Sequence, residues 1–151
     1  METLIQEPQL KQLKRIAMHP RIGRQTGTTA EVLRIQADAE CTRIDFIVRA
    51  SRKYINGGWV CMERNAFIRP AGTGERMLLL QAVNIPVAPA KHYFRDLKDM
   101  LCYTLIFPPL PKSVLAIDII EAEGPGGNWF NFYGVSMTKV RSQVIAVPVN
   151  N

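Results

Sequence analysis

A chain of 151 residues with 47% apolar and 21% charged residues has the composition of a single cored domain and not of a disordered segment. Its apolar runs are short and broken by charge or proline, and none approaches the ~20 residues that a membrane-spanning helix needs. A net charge of +6 excludes less: it favours acidic partners, nucleic acid or anionic surfaces, and it also serves solubility alone.

Residues 1–20 read as a short amphipathic N-terminal helix. Pro8 suits a first helical turn. Leu10, Leu13, Ile16 and Ala17 recur at helical spacing, with Lys11, Lys14 and Arg15 on another face. Pro20 ends the run by forcing His19 off helical angles. A helix this short is marginal alone in water, so it is expected to dock on the rest of the chain or on a partner. The opening METLIQEPQ carries glutamates where a signal peptide would carry basic residues and then an apolar block. The chain as written is therefore expected in the cytoplasm, or outside it if the chain is a processed or excised segment.

From Arg21 to Asn151 the period changes to two, and these residues read as a β-sandwich domain. In AEVLRIQAD, Leu33, Ile35 and Ala37 alternate with Arg34, Gln36 and Asp38; in TRIDFIVRAS, Ile44, Phe46 and Val48 alternate with Arg43, Asp45, Ile47 and Arg49. Asn56-Gly57-Gly58 marks a turn. The apolar run RMLLLQAVNIPV reads as a central strand ended by Pro86 and Pro89. APAKHYFRDLKDM is a connection with one helical turn near Arg95–Asp99. LCYTLIF turns Leu101, Tyr103, Leu105 and Phe107 to one side, and LAIDII does the same with Leu115, Ile117 and Ile119.

Between those last two runs stands Pro108-Pro109-Leu110-Pro111. Proline lacks an N–H and fixes φ, so this segment stops a strand and carries the backbone from one sheet to the other, with Leu110 packed at the core edge. GPGGN is a turn. WFNFYGVSMTKV is the final strand, with a bulge or close backbone approach expected at Gly134. The expected fold is an all-β, immunoglobulin-like antiparallel sandwich of about 7–9 strands.

The combination YTLIFPPLP, AIDIIE and FNFYGVSM resembles a group of bacterial immunoglobulin-like β-sandwich domains, with a looser likeness over GGWVCMERNAFIRPAGTGERMLLLQAVNIP. The resemblance spans roughly residues 30–139. Its members are often exported proteins or accessory domains beside other modules, and it implies a fold and no catalytic residues. This chain departs from the group in lacking an export signal and in beginning with a basic segment.

Candidate chemistry is sparse. Asp118, Glu121 and Glu123 suggest paired carboxylates, but the odd spacing of Asp118 and Glu121 puts them on opposite faces of a regular strand, so solvated or salt-bridged carboxylates are expected. Cys41, Cys61 and Cys102 are odd in number and widely spaced, with no CxxC, which points to buried free thiols in a reducing compartment and not to zinc. A nucleophilic Cys102 activated by His92, with Asp96 or Asp99 orienting the imidazole, lacks any feature that fixes its geometry. Neither AGTGE nor GPGGN matches a phosphate loop. No catalytic residue, metal or cofactor is expected.

The expected role is a non-enzymatic interaction or assembly module, a subunit of a larger complex with a protein partner or a second copy of itself. Its candidate surface is basic: Lys11, Lys14, Arg15, Arg21 and Arg24, with Arg49, Arg52 and Lys53 beside Tyr54. The alternative is an accessory domain that uses those same residues to follow a nucleic-acid backbone.

Overall fold

The computed structural model of the chain describes residues 15–27, 29–125 and 127–138. These residues form twelve strands and no helix: β1 (Arg15–Met18), β2 (Arg24–Thr26), β3 (Ala30–Ala37), β4 (Thr42–Arg49), β5 (Trp59–Val60), β6 (Phe67–Pro70), β7 (Met77–Leu78), β8 (Gln81–Val83), β9 (His92–Tyr93), β10 (Met100–Phe107), β11 (Ala116–Ile120) and β12 (Asn131–Ser136). One sheet runs β1-β3-β4-β10-β8, a second runs β2-β12-β11-β6-β7, and β5 and β9 form a separate ribbon. Every strand pairing is antiparallel.

The two large sheets pack face to face because each presents an apolar side. Ile44, Phe46 and Val48 point inward from β4, as their period predicts, and meet Ile68, Ile117 and Phe132 of the second sheet in one core. Phe46 stacks on its cross-strand neighbour Tyr103, with ring centroids 4.8 Å apart, and reaches across to Phe132 at 5.8 Å. On β3 the register shifts between Val32 and Arg34, so Ala30 and Val32 are inward before the bulge and Ile35 and Ala37 after it. Leu33 is consequently only half-buried, against the simple alternation.

The proline segment does what its chemistry demands. It joins β10 in the first sheet to β11 in the second, and Leu110 is 6% exposed within the core. Thr42 Oγ1 donates to the Pro108 carbonyl at 2.9 Å, and Arg15 donates to the carbonyls of Pro111 and Val114. The expected irregularity at Gly134 is also present: its φ is +65°, the β11–β12 register shifts opposite it, and it passes close to the Gly23 backbone.

Several expectations change. The proposed helix over 1–20 fails where it can be seen: Arg15–Met18 is a strand paired with β3, while residues 1–14 lie outside the described residues. Four apolar positions near a proline do not fix a helix when the free edge of β3 offers a ladder to pair with. RMLLLQAVNIPV is not a central strand. Its halves, β7 and β8, lie at the edges of different sheets, with Met77 and Leu79 against the core and Leu78 and Leu80 exposed. A continuous apolar run here reflects a chain that changes sheets. Arg95–Asp99 forms turns and no helix.

Candidate functional site

The loops that leave the core strands at one end of the sandwich build a cleft. From β4 the chain enters the 50–58 loop and then β5, which pairs Trp59 with Tyr93 of β9. Gly57 and Gly58 have φ of +88° and +80°, and a Cβ on Gly58 would stand 2.8 Å from the Tyr54 ring. Glycine is therefore needed twice over, for the turn and to let the ring of Tyr54 lie against it. The opposite wall repeats the device. A Cβ on Gly127 would stand 2.5 Å from three carbons of the Trp129 indole, so the ring lies directly on the glycine.

Between these walls is a cleft of about 530 Å³, lined by Tyr54, Trp59 and Trp129 together with Ser51, Lys53, Cys61, Glu63, Glu121 and Asn128. That volume is in the range of small-ligand sites, about 300–1,000 Å³. Trp59 is half-exposed, and the Lys91 ammonium stands 4.4 Å from its ring centroid.

Glu121 lies at the foot of the cleft just beyond β11, and it is 6% exposed. Its Oε1 accepts the Phe130 N–H at 2.9 Å and its Oε2 accepts the Glu63 N–H at 3.2 Å. Its own N–H donates to Asn131 Oδ1 at 2.8 Å. Burial pushes the carboxyl up to about 7; the two N–H groups oppose that rise, and the charge of Glu63 adds to it. The Cys61 thiol is raised by burial and then by Glu121 and Glu63, with Lys91 opposing. Behind Glu121, the buried Tyr103 hydroxyl has no hydrogen-bond partner, and burial followed by the Glu121 charge raises its pKa. A raised thiol is a poor nucleophile. The cleft is equipped to stack rings and to exchange hydrogen bonds.

The carboxylates foreseen in the sequence are separate, as their spacing required, but neither buried one is solvated. Asp118 accepts from Arg69 Nε at 2.8 Å and from the N–H groups of Gly134 and Gly72, and these partners hold it below the usual carboxylate range against the opposing cost of burial. Glu123 reaches Arg69 at 3.5 Å. Glu121 has no cation among the described salt bridges and sits instead at the cleft. The cysteines also depart from expectation: Cys102 faces solvent from β10, and Cys41 and Cys61 are half-buried. No group of three His, Cys, Asp or Glu able to hold a metal occurs among the described residues.

The basic residues named from the sequence lie on several elements. Lys11 and Lys14 lie outside the described residues. Arg15 is tied to the proline crossover, Arg24 lies over the Tyr133 ring at 4.0 Å, and Arg49 pairs with Glu31 at 3.4 Å. Arg21 is exposed beside β2, while exposed Arg52 and Lys53 belong to the loop that walls the cleft. Sequence reasoning placed Tyr54 beside a basic cluster but missed Trp59, Glu63 and the cleft roles of Tyr54 and Trp129. A signal was present in the two strings NGGW and GGNW, where glycines precede each tryptophan. No family model, curated protein or solved structure matches the chain.

Proposed function

We propose that the chain is a non-enzymatic interaction or assembly module, one part of a larger complex, built on an immunoglobulin-like sandwich. The strand order supports the fold reading: β3-β4-β10-β8 against β12-β11-β6 follows the ABED and GFC order of immunoglobulin domains. The observation that carries the function is the distribution of exposed apolar side chains. Of the ten large ones among the described residues, Tyr54, Ile55, Trp59, Tyr93, Leu97 and Met100 all belong to the cleft end. Ile55 is 92% exposed. Scattered apolar residues need no explanation, but a cluster of aromatics, Ile and Met at one end has the composition of a contact surface.

Nucleic acid suits this end less well. Its floor carries Glu63 and Glu121, and the nearby Arg49 is already paired. The test is recovery of the tagged chain from its native cells. Ile55→Asp and Tyr93→Asp are expected to lose a stoichiometric partner that wild type retains. Leu115→Asp, as exposed as Tyr93 but at the opposite end, is expected to keep it. Equal loss in all three variants, or retention in all three, overturns the assignment of the surface.

A further inference from the structure

We propose that the cleft binds a neutral saccharide, its ring faces held by Tyr54, Trp59 and Trp129 and its hydroxyls by Ser51, Glu63 and Glu121. This rests on the cleft end being the contact surface and names the chemistry that surface takes.

The aromatic rings come first. The edges and C–H faces of a sugar ring carry slight positive charge and pack on the negative face of an aromatic ring. The rings lining the cleft are partly fixed in advance: Tyr54 lies on Gly58 and Trp129 on Gly127. A rigid platform loses little side-chain freedom when a ligand lands on it.

The polar groups decide the ligand's charge. Glu63 and Glu121 line the cleft with Lys53, and Lys91 stands over Trp59 beside Cys61. Charges of both signs stand in and beside the cleft, Arg52 next to Lys53 included, so neither an anion nor a cation finds a wall of its own counter-charge. An anion would meet the carboxyls at the foot, and a cation would meet Lys91 already placed on the Trp59 ring, in a protein of net charge +6. A neutral ligand faces neither cost. A hydroxyl both donates and accepts, so it can satisfy the Glu121 carboxyl whether that group is ionised or protonated, and it can accept from Ser51 or Lys53. A purely apolar ligand would leave these groups unpaired, which costs more than stacking returns.

The experiment uses the protein's own reporters, because both of its tryptophans line the cleft. Intrinsic fluorescence is titrated with a panel of neutral α- and β-linked hexose oligosaccharides, an oligogalacturonate as the anionic probe and an oligolysine peptide as the cationic one. A saturable response to at least one neutral oligosaccharide is expected. Calorimetry should show its affinity weakened tenfold or more in Trp59→Ala and in Trp129→Ala. Tyr54→Ala keeps both reporters and should weaken it as well. Melting curves of each variant separate lost binding from lost folding. Silence across the neutral panel overturns the proposal, as does binding that survives all three variants. A response confined to the oligogalacturonate or the oligolysine overturns the ligand class and leaves the contact surface standing. That surface is tested separately, by whether the Ile55 and Tyr93 variants lose a partner that the Leu115 variant keeps.

Discussion

Arg69 Nε donates to Asp118 Oδ2 at 2.8 Å across the β6–β11 pair, with the two side chains only 17% and 5% exposed. The same carboxylate holds the N–H groups of Gly72 and Gly134, so one side chain ties together a turn, a bulge and two neighbouring strands. Asp118→Ala would leave a guanidinium and two N–H groups without their acceptor. Breaking a buried pair from one side costs about 3–5 kcal/mol. Glu123→Ala removes only the longer and more exposed contact to Arg69, and about 0.5 kcal/mol is expected. Urea unfolding of the two variants measures the difference; equal losses would mean that Asp118 does not organise this corner.

Glu121 sets the opposite kind of dependence. Its folded value of about 7 lies above the ordinary 4.5, so its contribution is fully present below pH 4.5 and is lost as pH rises through 7. The loss amounts to about 3 kcal/mol. The charge that bears on it is that of Glu63, with Cys61 and Tyr103 close by; Lys53 lines the same cleft, and Lys91 acts on Cys61. Asp45 and Asp118 run the other way, because their folded values are depressed and their stabilisation disappears as pH falls. Thermal stability should therefore peak in mildly acidic solution. Glu121→Gln should flatten the fall between about pH 5 and pH 8. A wild-type melting temperature that does not change over that window would contradict the buried, unpaired carboxyl.

Much of the sandwich was legible in the sequence, and particular residues show why. Ile44, Phe46 and Val48 obey a period of two because β4 is regular and one face is core. Leu110 was legible because three prolines leave a strand no way to continue. β7 and β8 were not, since an apolar run looks the same in a buried central strand and in a chain crossing between sheets. The cleft was hidden for another reason. Its parts come from five separate stretches, near residues 27–29, 51–54, 59–63, 121 and 128–130, and no local spacing relates them. Glu121 in particular reads as a strand-ending carboxylate until the fold closes over it.

The cysteines offer a solution test of the strand faces. Cys102 lies on the solvent side of β10, opposite Ile47 of β4. It should react first with iodoacetamide. Cys61 should be slowest, being half-buried with a thiol raised by burial and two nearby glutamates. Mass spectrometry of briefly alkylated native protein reads the order directly. Modification of Cys61 ahead of Cys102 would put β10 the wrong way round in its sheet.

Two glycines separate the shape of the cleft from the stability of the fold. At Gly127 the three nearest atoms an added methyl meets are all carbons of the Trp129 indole, at 2.5 Å, so Gly127→Ala should push the ring aside and leave the strands alone. The expected result is a changed Trp129 emission and a loss of saccharide binding of tenfold or more, with stability altered by no more than about 1 kcal/mol. Gly72 is the converse. Nothing lies within 4 Å of its Cβ position, but its φ is +77°. Gly72→Ala should cost roughly 1 kcal/mol through backbone strain alone and leave emission and binding unchanged. Emission that stays constant in Gly127→Ala would show that the indole does not rest on that glycine, and the wall it forms would have to be redrawn.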